Sequence, residues 1–374
     1  MGVNIEQWLP RDHADGVFLA RAQSPEGPCV LRIANGEIYD VTCETPTVSG
    51  AVARRAFSGG SKIGTVKSGL PDGWSLLTPI DLQCIKACGV TFAVSAIERV
   101  LEERARGDAV QAASLRGHIE ERVGTGIRAV VPGSPEAAQL KEVLIDEGLW
   151  SQYLEVAIGP DAEVFSKSSV LSAVGGGDEI GIRSDSSWNN PEPEVVLVVA
   201  PDGEVVGATL GNDVNLRDIE GRSALLLSKA KDNCASCAIG PFIRLFDDSF
   251  TMDDVRRMTV ELQITGPEGY RLEGANDMTQ ISRDPLDLVR QTMDQHHYPD
   301  GFVLFCGTLF APVQDRDTPG AGFTHKLGDI VTIRSDRLGS LTNTVTTSDK
   351  ASPWTFGIGS FIRNLAERGL AEKV

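Results

Sequence analysis

The stretch that most limits how this chain can fold is a short apolar hairpin with acid at its mouth. From Glu194 to Ala200 the chain is a run of valines and leucine, Pro201-Asp202-Gly203 is a turn signal, and Val205-Val206-Gly207-Ala208 starts a second strand. Glu192-Pro193-Glu194 stands where the first strand begins, and Gly211-Asn212-Asp213 follows the second. In extended chain, residues i and i+2 face the same way, so the two glutamates point together, their Cα atoms about 6.6 Å apart. The returning strand brings Asp213 to the same end.

Three carboxylates without a nearby histidine or thiolate form a hard oxygen site, suited to Mg²⁺, with Mn²⁺ or Ca²⁺ as alternatives, better than to zinc. A Glu-x-Glu pair alone is most often solvated surface. The apolar strand behind it and the third acid are what favour a cation. Glu192, Glu194 and Asp213 are therefore candidate metal ligands, with a solvated acidic surface as an equal alternative.

Around the hairpin the chain changes character twice. Residues 1–85 hold short strand signals at Val17–Ala20, Cys29–Ile33 and Glu37–Val41 separated by Gly- and Pro-containing turns, which predicts a small, mainly β N-terminal domain. Residues 86–374 form the expected catalytic domain, with a helical segment over 96–150 that is either an ordinary subdomain or a lid. Within it, Ser134 before Pro135 has the pattern of a helix N-cap. Further strands are expected at 259–265, 301–305 and 330–333. The fold class is α+β.

Composition narrows the function. With 35 basic and 52 acidic residues the formal charge is −17, which opposes nucleic-acid binding and requires local positive charge wherever an anionic substrate binds. No run approaches the roughly 18 apolar residues of a membrane span, and Met1–Pro10 lacks the pattern of a secretory signal, so a cytoplasmic location is expected. The seven cysteines, an odd number, do not form a disulfide framework. Cys234 and Cys237 have zinc-knuckle spacing without a second pair, so buried thiols are expected. His296-His297 belongs to a turn, and Gly175-Gly176-Gly177 lacks the lysine of a phosphate-binding loop.

The stretch 187–246 resembles the fumarylacetoacetate hydrolase superfamily. The resemblance is carried by Trp188-Asn189-Asn190-Pro191-Glu192-Pro193-Glu194, by Gly211-Asn212-Asp213-Val214-Asn215-Leu216-Arg217-Asp218, and by Lys231 followed by Cys237-Ala238-Ile239-Gly240-Pro241. Cys306-Gly307-Thr308 and Gly339-Ser340-Leu341-Thr342-Asn343-Thr344-Val345 extend it. It implies a mixed β-roll with flanking helices, a helical lid, Glu192, Glu194 and Asp213 as metal ligands, Lys231 in the active site and Thr308 at the substrate carboxylate. It also implies a homodimer or homotetramer.

One departure matters. Hydrolytic members carry a histidine and a glutamate in the lid, where this chain reads Thr91-Phe92-Ala93-Val94-Ser95-Ala96-Ile97-Glu98. Glu98 is kept, but Ser95 replaces histidine and cannot act as a base near neutral pH. His118 with Glu121 has the same spacing, though a solvated helix face accounts for it better.

The Trp-Asn-x-Pro-Glu-Pro-Glu form is similar to the sugar-acid branch, which contains 2-keto-3-deoxypentonate dehydratases and 2,4-diketo-3-deoxy-sugar-acid hydrolases. A dehydratase acting on a small 2-oxo acid is the leading expectation, with a carbon–carbon hydrolase and a non-catalytic ligand-binding protein as alternatives. Lys231 and Glu98 are the expected catalytic groups. Thr308, Ser95, Lys167 and Arg183 are the expected substrate contacts, the last two with a structural ion pair as an equal alternative.

Overall fold

The computed structural model describes residues 4–374 except 129, 311, 313, 320 and 321. The side chains of residues 94, 118, 122, 124 and 125 also lie outside the described set, so the expectation for His118 falls there.

The hairpin forms as its sequence dictates. Strand Pro193–Val199 pairs antiparallel with Val205–Asp213, with Pro193 opposite Asn212 and Glu194 opposite Gly211. Gly203 takes φ +88° in the turn, a conformation glycine adopts without Cβ strain. Both strands lie in the middle of a sheet, so Val195 through Val199 are all fully buried. Full burial of one such side chain contributes about 1.5–3 kcal/mol. Both faces of this strand are covered, which explains why its pattern is continuous rather than alternating.

Eleven described strands make up that sheet. On one side Val205–Asp213 is followed by Cys237–Leu245 and then by Val17–Ser24, Gly27–Ala34, Glu37–Asp40 and Ser61–Thr65. On the other side Pro193–Val199 is followed by Phe302–Phe305, Cys84–Gly89 and Glu163–Ser168. Phe302–Phe305 runs parallel to Cys84–Gly89, so the sheet is mixed. The N-terminal strands continue it through Phe18 opposite Arg244 and Leu19 opposite Ile243. Arg244 is fully buried there and bonds both oxygens of Asp12 at 2.9 Å.

A second sheet of five strands contains Arg271–Asp277, Thr259–Thr265, Ile330–Ser335, Gly339–Thr347 and Glu179–Ile182. Its strand Thr259–Thr265 has the predicted bounds and an alternating burial pattern, as expected for a strand with one face on the core. The core between the sheets includes Val195, Leu197, Leu210, Leu262, Ile333 and Leu341.

The helical segment is broken more often than its composition predicts. Helix Ala93–Arg104 ends before Asp108, whose side chain caps Ala109–Ile119 by accepting from Gln111 N. Ser134 caps Pro135–Asp146 by accepting from Ala137 N, as expected, and Gln152–Ile158 completes the group. These helices share a core of their own, built from Ala96, Ile97, Val100, Leu101, Tyr153 and Leu154 against Trp188. Among the described residues no helix is long and apolar enough to cross a membrane.

Candidate metal centre and active site

The pairing register sets the centre. Asp213 N donates to Glu192 O at 3.1 Å, so Asp213 comes to rest beside the two glutamates. All three are buried, and one carboxylate oxygen of each lies within 4.8 Å of the others.

Cations surround them. Lys231, on the short helix Leu227–Lys231, places Nζ 2.5 Å from Glu192 Oε2 and 3.0 Å from Asp213 Oδ2. Fully buried Lys167 forms an ion pair with Asp213, its Nζ 2.8 Å from Oδ1. Lys167 Nζ also donates to the carbonyls of Lys231 and Val214. Arg99, from helix Ala93–Arg104, donates from NH2 to Glu192 Oε1 at 2.6 Å.

Glu194 is the least compensated acid. It accepts from Gly307 N at 2.6 Å. Burial and the charges of Asp213 and Glu192 push its carboxyl well above the ordinary value, against the pull of Lys231. Burial also pushes the Asp213 carboxyl up, but Lys167 and Lys231 bring it below its usual range. Three buried carboxylates that offer only oxygen, with Glu194 resisting ionisation until positive charge is added, fit a hard divalent cation.

Lys231, expected in the active site, holds its proton firmly. Burial pushes its ammonium down, yet Asp213, Glu192 and Glu220 together raise it above the ordinary lysine value. With these protein groups alone, Lys231 is a firmly charged cation.

Gly307 explains the Cys-Gly-Thr turn. It adopts φ +89°, and a Cβ there would come 2.1 Å from Thr91 Oγ1 and 3.1 Å from Cys88 O. The next residue, Thr308, accepts from Phe310 N at 3.2 Å and is half-buried beside this tether to Glu194.

The remaining expected residues scatter. Glu98 is held by Arg116 and by Arg217, the latter at 3.1 Å. Burial raises the Glu98 carboxyl, but these guanidinium partners bring it below the ordinary value. It connects to the centre only indirectly: Arg217 bonds Glu102, and Glu102 bonds Arg99. Ser95 donates to Phe92 O at 2.7 Å, within its own helix. Arg183 forms a two-pronged pair with Asp185 at 2.7 and 2.8 Å and is not brought to the carboxylates. Cys237 is buried as expected, whereas Cys234 is exposed.

Two groups at the centre escaped sequence reasoning. One is Arg99, whose only sequence signal is a charge inside an otherwise amphipathic helix. The other is Glu163, at the start of strand Glu163–Ser168, which has no motif. Its carboxylate lies where a Cβ on Gly89 would stand, 2.0 Å from that position, so the glycine admits it. Burial and the charge of Glu220, opposed by Arg99 and Lys231, push the half-buried Glu163 up to about 7.

Comparison with known proteins adds relatives to this geometry. Residues 155–346, just over half of the chain, match the family described as "Fumarylacetoacetate (FAA) hydrolase C-terminal". A protein of Haloferax volcanii named "Probable 2-keto-3-deoxyxylonate dehydratase" is 33% identical over 195 residues, which are 52% of this chain and 64% of that protein. The "2-dehydro-3-deoxy-D-arabinonate dehydratase" of Saccharolobus solfataricus is 30% identical over 182 residues, 48% of this chain and 57% of that one. The matches thus span less than two thirds of either relative. In fold, the chain is similar to a solved 2-keto-3-deoxy-D-arabinonate dehydratase complexed with magnesium and 2,5-dioxopentanoate, with TM-score 0.64, 22% identity and coverage of 88% of this chain and 98% of that one. The fold is therefore a mixed α/β fold of this type, and the chain belongs to the fumarylacetoacetate hydrolase C-terminal family.

Proposed function

We propose that the chain is a Mg²⁺-dependent dehydratase of a 2-keto-3-deoxy sugar acid, such as a 2-keto-3-deoxypentonate, and releases 2,5-dioxopentanoate and water. The observation that carries the reading is the buried oxygen-only seat of Glu192, Glu194 and Asp213 with Lys231 against it. The two relatives named as dehydratases of such acids support the substrate class.

Mg²⁺ at this seat would supply the Lewis acidity that draws electron density from a 2-oxo acid and lowers the barrier to removing its C3 proton. The chain's residues do the rest. Glu163, titrating near 7, accepts the C3 proton and returns it to the departing C4 hydroxyl, which leaves as water. A proton then moves from C5 to C3, and the C5 hydroxyl proton moves to C4, so that C5 becomes the aldehyde. The net change is loss of one water.

Lys231 stabilises negative charge developing on the substrate, and Lys167 secures Asp213 from behind. Thr308, beside Gly307, contacts the substrate carboxylate, and Ser95 lines the lid side of the site. We assign Glu98 to anchoring the lid through Arg116 and Arg217, because two guanidinium partners keep it ionised. Arg183, committed to Asp185, is left out of the site.

The test is direct. Purified protein with Mg²⁺ and 2-keto-3-deoxy-arabinonate or -xylonate should form the semialdehyde, followed by NMR and by an aldehyde reagent. No turnover with any 2-keto-3-deoxypentonate would sink the claim. Pyruvate release from a 2,4-diketo acid would identify a carbon–carbon hydrolase instead. Light scattering on the same sample tests the proposed homodimer or homotetramer.

A further inference from the structure

We propose that Arg99 is a resident counter-ion of the carboxylate seat that changes places with the divalent cation, so that filling the seat repositions the helix Ala93–Arg104. This rests on the metal-holding role of Glu192, Glu194 and Asp213 and is independent of the reaction catalysed.

Both oxygens of Glu192 are engaged by cationic groups, Oε2 by Lys231 and Oε1 by Arg99. A divalent cation needs a carboxylate oxygen at about 2.0–2.5 Å and repels any positive group already there. The cation therefore competes with both residents for Glu192. Both carboxylates that Lys231 hydrogen-bonds, Glu192 and Asp213, belong to the seat.

Arg99 has partners outside it. Its NH1 bonds Glu102 Oε2 at 2.6 Å and Glu220 Oε2 at 2.7 Å, and neither carboxylate belongs to the seat. The guanidinium thus divides its two ends, NH2 toward the seat and NH1 away from it. Giving up Glu192 costs Arg99 one of three partners, and the other two keep its charge compensated in a buried place.

The exchange reaches the helix through covalent geometry. Glu98, Arg99 and Glu102 all project from Ala93–Arg104, and both glutamates pair with Arg217. Of these three side chains, Arg99 alone touches a seat carboxylate among the described contacts. Its release removes the helix's direct tie to the hairpin. The freed NH2 faces the ligand that the cation carries, so a ligand bearing a carboxylate restores the tie by accepting from it.

The experiment uses Mn²⁺ as the probe, titrated by electron paramagnetic resonance, together with hydrogen–deuterium exchange of the helix 93–104 with and without Mn²⁺. In the wild type, Mn²⁺ should speed exchange in this helix. Arg99→Gln and Arg99→Lys should both bind Mn²⁺ more tightly, by about tenfold and about threefold respectively, and show helix exchange that no longer responds to Mn²⁺. Arg99→Lys keeps the charge but loses the planar fork that spans separate carboxylates. If Arg99→Lys binds Mn²⁺ like the wild type while Arg99→Gln binds more tightly, only bulk charge is at work and the exchange is refuted. Helix exchange that responds to Mn²⁺ equally in wild type and Arg99→Gln refutes it too. If the wild type binds no Mn²⁺, the metal seat itself is wrong, an outcome distinct from either.

Discussion

Replacing Lys231 with Met removes a buried charge while roughly keeping side-chain volume, and the structure says what is left behind. Glu192 Oε2 and Asp213 Oδ2 lose charged hydrogen bonds of 2.5 and 3.0 Å in a place where water does not replace them. Breaking one side of a buried ion pair costs about 3–5 kcal/mol. Here the cost should fall near the lower end, about 3 kcal/mol, because Arg99 still holds Glu192 Oε1 and Lys167 still faces Asp213 Oδ1. Urea unfolding at pH 7.5 measures it, and saturating Mg²⁺ should recover part of the loss by returning positive charge to the same acids. The deficit should also narrow in acid. Asp213 is held below its ordinary value in the wild type, so its stabilisation is present above that value and disappears as pH falls through the lowered one. A variant within about 0.5 kcal/mol of the wild type at pH 7.5 without Mg²⁺ would refute the claim that Lys231 is what neutralises these carboxylates.

Three other outcomes follow from the same geometry. Glu194 is raised above its ordinary value, so the folded state holds a proton that the unfolded state has released, and stability declines as pH rises from the ordinary value toward the raised one. A fixed Mg²⁺ concentration should therefore raise the melting temperature more at pH 8 than at pH 5.5, and equal shifts in thermal melts would count against Glu194 as a ligand. The proposed role of Glu163 as base requires its ionised form, so wild-type activity should rise as pH passes through about 7. Glu163→Gln should lower kcat about a hundredfold and flatten that limb, whereas an unchanged profile would remove Glu163 from the mechanism. Gly307→Ala forces a Cβ into Thr91 Oγ1 at positive φ and should cost about 2–4 kcal/mol in urea unfolding while weakening Mg²⁺ binding by calorimetry, because the displaced N–H is the one bonded to Glu194.

What the sequence could reveal of this site divides along the range of the interaction. The hairpin 193–213 was legible because its evidence is local: period-2 geometry aligns Glu192 with Glu194, and a turn centred on Gly203 returns Asp213 to them. Thr259–Thr265 was legible for the same reason. The order of strands was not, since Phe302–Phe305 enters between Pro193–Val199 and Cys84–Gly89 from more than a hundred residues away in the chain. The continuation of the sheet into the N-terminal strands rests on two residue pairs, 18 with 244 and 19 with 243, which no local pattern announces.

Charge balance was the least legible part, and the reason is physical. An acid's protonation at a buried centre depends on which cations the fold delivers to it, and those arrive from separate elements: Arg99 from a helix 93 positions before Glu192, Lys167 from an edge strand, Lys231 from a short helix. Three carboxylates in register predict a cation but not their own compensation. Once Lys231 and Lys167 are spent on Asp213 and Glu192, Glu194 is left, among the described residues, with a single backbone donor, and its raised affinity for a proton is the same imbalance that would favour a divalent cation at the seat. Glu163 follows the same logic at one remove. It carries no direct cationic partner among the described residues, so burial leaves it near neutrality. The acid proposed to hold the metal and the acid proposed to move the proton are therefore separated by what surrounds them, and a sequence that lists both as glutamate cannot express the difference.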